Sequence, residues 1–200
     1  MVSAKKYIVD MTSGGLLPQE SRIVAESLLQ VLSLAEWREY IEKQNPLQKK
    51  SPQTAMRYAH TIRRRLQPLG QDYIKDVSNA AGQVYIQLLL LAAVLHTPVI
   101  ADFMSSVIKD ARRQYKRELT ASAWDDFIND KARVIDGLGS FSDATIHKTG
   151  TNLMRILAEA GYLDSARNKV LLPVYLLPET RQWLARLDRN DLTATLECTL

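Results

Sequence analysis

Cations, amides and hydroxyls are the groups this sequence concentrates. Lys148, Thr151, Asn152 and Arg155 recur at three- and four-residue spacing, which places them on one side of a helix. Behind them come Arg167, Asn168 and Lys169, at the tip of a turn. Earlier, Lys49, Lys50, Arg57, Arg63, Arg64 and Arg65 crowd one stretch. With Lys75 they make seven basic residues between positions 46 and 75, against one acid, Asp72. Lys and Arg neutralise phosphates with release of counterions, and Arg and Asn match the edges of guanine and adenine. A solvated face uses the same residues, so charge alone leaves both readings open. A further cluster, Lys109, Arg112, Arg113, Lys116 and Arg117, is diluted by Asp110 and Glu118. Those acids can pair with it along a helix, and it reads as solvated surface.

Catalytic constellations are missing. His60, His96 and His147 lie far apart, with no ligand spacing to cysteine or carboxylate, so no metal site is expected. Asp125 and Asp126 are neighbours that a helix points about 100° apart. Ser13-Gly14-Gly15 lacks the Lys-Ser/Thr that completes a phosphate-binding loop. No G-x-S-x-G element and no Cys/His pair occurs. The expectation is a binding protein rather than an enzyme, with no cofactor and no small-molecule substrate.

The elements that must position these groups can be read from periodicity. From Ser142 to Ala160 the apolar residues Ile146, Leu153, Ile156, Leu157 and Ala160 repeat at helical spacing opposite the polar set. Gly161-Tyr162 follows, then a short β-hairpin with strand composition over 169–176. A half-buried helix backed by a basic hairpin is a winged-helix pattern, in which the helix enters the major groove and the wing touches backbone. Ser51-Pro52 is an N-cap with proline at the first helical position. It opens a helix with Ala55, Tyr58, Ala59, Ile62 and Leu66 inward, stopped by Pro68 and Gly70.

Other helices are expected over 18–32 with Val31 inward, and from a Ser33/Glu36 capping box to Asn45-Pro46. Further ones cover 71–77 and the apolar stretch 82–96. A long helix runs from Thr97-Pro98 to Leu119, and another from a Ser122/Asp125 box to Ile135. The chain closes with a short helix through Trp183 and a strand over 192–200. The fold class is thus mainly α: an N-terminal helical bundle over 1–120 and a small winged-helix-like α+β unit over 121–200.

Composition sets the limits. A formal charge of +4 and a pI near 9.2 permit nucleic acid without demanding it, so local clustering carries the argument. The lone Cys198 excludes an internal disulfide and fits a reducing cytoplasm. The longest apolar run, Val84–Leu95, falls short of the ~20 residues that span a bilayer. The stretch Met1–Asp10 lacks the apolar core of a signal peptide, so none is expected there. The expected location is cytoplasmic.

The run Met11-Thr-Ser-Gly-Gly-Leu-Leu-Pro-Gln-Glu-Ser-Arg-Ile-Val-Ala-Glu resembles the opening of the BrxA family of bacterial BREX phage-exclusion systems. The likeness continues through Trp37, Lys49–Thr54 with its Arg-rich helix, Trp124-Asp125-Asp126-Phe127, and Arg155-Ile-Leu-Ala-Glu-Ala-Gly-Tyr-Leu163. The resemblance implies a cytoplasmic phage-defence component, mostly α-helical, related in part to the NusB-type bundle, and able to bind DNA. It brings no enzymatic activity and no agreed set of binding residues. The family's older inner-membrane label conflicts with the length argument above.

Together these readings give a double-stranded DNA-binding protein. Lys49, Lys50, Arg57, Arg63, Arg64 and Arg65 would hold phosphates. Lys148, Thr151, Asn152 and Arg155 would lie at the groove, and Arg167 and Lys169 would touch backbone at the wing. Two alternatives remain at this point: an assembly module docking other BREX subunits through the 84–95 helix or the winged unit, and an RNA-binding protein.

Overall fold

Among the described residues, serine caps open four of the twelve α-helices, and first-turn prolines open three others. The computed structural model describes residues 3–198. Ala4–Tyr7 (α1) is capped by Ser3, and a 3₁₀ turn at Met11–Ser13 leads to α2, Pro18–Leu29. The Ser33/Glu36 capping box forms in both directions and opens α3, Leu34–Glu39, which widens into a π turn at Tyr40–Gln44. Ser51 caps α4, Pro52–Leu66, with Pro52 in the first turn. Then come α5 (Gln71–Asn79), α6 (Gly82–His96), and one rod made of α7 (Pro98–Phe103), a π turn (Met104–Ile108) and α8 (Lys109–Arg113). The chain continues through α9 (Ala123–Ala132), α10 (Asp143–Glu159), α11 (Pro178–Arg186) and α12 (Thr193–Glu197).

The core forms around α6. From Tyr85 to Val94 this helix is buried on nearly every side, apart from a partly exposed Ile86, which accounts for its apolar run. Gln87, the one polar residue inside that run, is fully engaged. Its amide donates to Tyr175 O at 2.8 Å, and its carbonyl accepts from Leu177 N at 2.9 Å and Thr180 Oγ1 at 2.8 Å. α4, α5, α7 and α11 pack against α6, and α2 lies across α4 and α5. No single helix among the described residues is long and apolar enough to cross a membrane. α6 and the Pro98–Arg113 rod pass such a test only as a pair bent by 107°.

Several expectations are corrected. The winged-helix β unit is reduced, among the described residues, to two isolated antiparallel bridges, Glu118 with Val170 and Leu163 with Leu171. Pairing stops because Pro173 has no N–H to donate and Gln87 claims the backbone beyond it. The strand expected over 192–200 is a 3₁₀ turn and α12 as far as it is described. Its Leu192 and Leu196 satisfy a helical spacing as well as an alternating one. The helix from Pro98 ends at Arg113 rather than Leu119. Ser122 makes no side-chain cap. α2 ends at Leu29, and Val31 is fully exposed rather than inward.

Candidate nucleic-acid interface

The segment Asp10–Leu17 lies against α4 and α10, and that packing redistributes the basic residues. Its backbone twists through left-handed positions at Asp10 and Leu17. A Cβ at Gly15 would stand 2.3 Å from the Glu159 carboxylate, so any larger residue there would have to displace that side chain. Glu159 accepts from Leu16 N at 2.6 Å and from Arg155 Nε at 2.8 Å. Glu159 thereby ties α10 to the segment and raises the Arg155 pKa, mainly through their hydrogen bond.

Two expected contact residues are inside. Asn152 is buried and donates its amide to Met11 O at 2.6 Å. Arg65 is 4% exposed and donates to Gly15 O at 2.9 Å, while its Nε and Nη2 have no partner. Burial pulls that guanidinium down to about 10. Both side chains stand on faces that polarity marks as outward, but the 10–17 segment covers those faces.

Other cations are spoken for. Arg64 clasps Asp10 through both carboxylate oxygens, at 2.6 and 2.8 Å. Lys49 pairs with Glu20. Arg63 donates to Gln67 at 2.8 Å and lies 4.7 Å from the Trp37 ring. Lys50, Arg57, Lys148 and Arg167 are exposed and Lys169 is half-exposed. None of the five has an ion-pair partner among the described residues.

α10 joins what remains. At its C-terminal end Arg155, Lys49 and Tyr58 line a cleft of about 450 Å³ with Glu20. Arg57 is exposed beside Tyr58, 5.5 Å from the ring. At the other end Thr151 and His147 line a cleft of about 330 Å³ with Arg167, Lys169 and Asp125. The turn carrying Arg167 is closed by Asp164, whose carboxylate accepts from Ser165 N, Val170 N and Asn168 Nδ2. From Lys148 to Arg155 the exposed face of α10 advances about 10 Å at 1.5 Å per residue, so the two clefts lie along one ridge. Tyr58 and His147 were absent from the expected set; the i, i+4 relation of His147 to Thr151 was the available signal for the second. Among the described residues no group of three or more His, Cys, Asp or Glu could hold a metal ion.

Fold and site thus define a mainly α-helical protein with a basic ridge along one helix. Known proteins give that class a family. The BrxA family model matches residues 5–188. The chain is 44% identical over 193 residues to "BREX protein BrxA" of Escherichia coli O9:H4 (strain HS), covering 96% of this chain and 91% of that protein. It is 31% identical over 179 residues to "BREX protein BrxA" of Paramagnetospirillum magneticum (strain ATCC 700264 / AMB-1), covering 90% of each. A crystal structure of an uncharacterized protein from Magnetospirillum magneticum superposes with a TM-score of 0.79 at 28% identity, over 96% of this chain and 97% of that one. The chain belongs to the BrxA family.

Proposed function

We propose that this protein is a component of a bacterial BREX phage-defence system and that it binds duplex DNA along the α10 ridge. The observation supporting the DNA reading is a set of cations with no ion-pair partner among the described residues: Lys148 exposed on α10, Arg167 and Lys169 in the cleft beside it, and Lys50 and Arg57, next in sequence to the Lys49 and Tyr58 that line the other cleft. Lys49 and Arg155 add to it on exchanging carboxylate partners for phosphates. Cations that position without reading bases give weak sequence preference and strong salt dependence. The assembly alternative keeps the later part of the chain as a docking surface but not α6, which is consumed by the core.

Fluorescence anisotropy with a labelled duplex tests the proposal. Five phosphate contacts correspond to a slope of roughly −4.5 in log affinity against log salt, a loss of ~500-fold between 50 and 200 mM. The triple reversal K50E/R57E/K148E is expected to abolish measurable binding while leaving the melting temperature unchanged, since these side chains are exposed. Salt-independent affinity, or a triple variant that binds normally, would refute the DNA reading. A competing RNA duplex of equal length that binds better would transfer the ridge to RNA.

A further inference from the structure

The turn after α8 lies outside the ridge. Lys116 N–H donates to Ala111 O at 2.9 Å and Tyr115 N–H to Arg112 O at 3.0 Å, a Schellman closure. The closure puts Tyr115 in the left-handed region at φ 53°. Glycine usually fills that place, because a Cβ there presses on the following carbonyl. Tyr115 returns nothing to the fold, as its side chain is 95% exposed. A costly backbone position is therefore occupied by a large aromatic that buries no surface.

The surroundings are cationic. Lys109, Arg112, Arg113, Lys116 and Arg117 stand against Asp110 and Glu118, and none of the five is in an ion pair among the described residues. Arg112 is engaged with Leu172 O and Glu197 O, and Lys116 lines a cleft shared with Asp110 and Asp126. Arg113 and Arg117 are exposed. The base of the turn is fixed, because Leu171 N donates to Arg117 O at 2.9 Å and Leu119 N to Lys169 O at 3.1 Å.

We infer that Tyr115, flanked by Arg113 and Arg117, is a stacking platform for an unpaired nucleobase and its neighbouring phosphates, hence a site for single-stranded nucleic acid. In a duplex both faces of every base are covered, so an exposed ring with an exposed arginine two residues to either side in sequence suits a strand whose bases are free. The site uses none of the ridge residues and stands or falls separately from duplex binding.

Anisotropy with labelled oligothymidine, oligouridine and the duplex, at 50 mM salt, tests it on wild type, Tyr115→Gly, Tyr115→Asn and R113E/R117E. Wild type is expected to bind a single strand, and the tighter of the two oligomers identifies the polymer. Tyr115→Gly and Tyr115→Asn should weaken that binding about tenfold, the loss expected for one stacked base, with duplex affinity unchanged. Their melting temperatures should hold or rise, since both residues accept the left-handed position. R113E/R117E should weaken single-strand binding further. K50E/R57E/K148E should lose the duplex and keep the single strand, so failure of either site is visible alone. Absence of single-strand binding in wild type, wild-type binding by both Tyr115 variants, equal loss of duplex, or a fall in their melting temperatures would overturn the inference.

Discussion

Asp10 is held at φ 59°, and its carboxylate collects three hydrogen bonds, two from Arg64 and one at 2.8 Å from His96 Nε2. Burial raises its carboxyl, but the bonds from His96 and Arg64 outweigh that and hold it below its ordinary value. A depressed pKa means that the folded state favours the ionised form. The resulting stability is present above the unfolded carboxylate value, about 3.9, and is lost as pH falls through the lower folded value. Asp10→Asn is expected to cost about 2 kcal/mol at pH 7, a fall in Tm of roughly 4–8 °C for a chain of this size. Melting curves across pH 7 to 2 check it: the gap between wild type and variant should begin to narrow near pH ~4 and go on closing as pH falls through the lower folded value, and a constant gap would remove the carboxylate from the account. Residue chemistry was only half legible here. The wheel of α4 places Ala55, Ala59, Ile62 and Leu66 inward as found, but it sets the buried Arg65 on the polar flank, and it cannot show that Asp10 sits over Arg64 or that Gly15 covers Arg65. Both partners lie some fifty residues away in sequence. The same blindness put Asn152 at the surface.

At the scale of elements, punctuation was legible where a side chain makes the signal. Ser33/Glu36 and Ser51-Pro52 cap as their sequences say. The end of α8 was not legible, because a tyrosine stands where glycine would have announced it. Nor was the missing wing, since strand composition does not reveal that Gln87 withdraws the 175–177 backbone from pairing. Gly150 also reads against expectation. In the middle of α10, alanine would normally gain about 1 kcal/mol of helix propensity. Here a Cβ would stand 2.4 Å from Trp124 Cδ1, where α9 meets α10 and the indole N–H donates to Ile146 O at 3.1 Å. Overpacking of this kind costs about 1–3 kcal/mol or more, so Gly150→Ala is expected to destabilise despite its propensity. Calorimetry decides the sign, and a raised Tm would mean that the two helices separate freely at this point.

At the scale of the molecule, the expected division into 1–120 and 121–200 raises the question of whether the two parts unfold separately. One continuous hydrophobic cluster includes side chains from both sides of it. Phe103 meets Trp124 and Phe127 with ring centroids 6.2 and 5.1 Å apart. Tyr73 meets Trp183 at 4.8 Å, and the Trp183 indole donates to Asp76 at 2.9 Å. Polar ties run the same way, from Asn152 to Met11 and from Leu16 to Glu159. If residues 121–200 unfolded alone, Gln87 would lose all three of its partners and the apolar surface of α6 around it would be laid open to water. Two separate transitions would thus require the first to open the centre of the second. A single cooperative transition is expected in urea. Trp37→Phe leaves Trp124 and Trp183 as the fluorescent reporters of the later part, while far-UV circular dichroism follows every helix. Coincident midpoints are the expected result, and a fluorescence change preceding the loss of helix would establish the boundary as an energetic one.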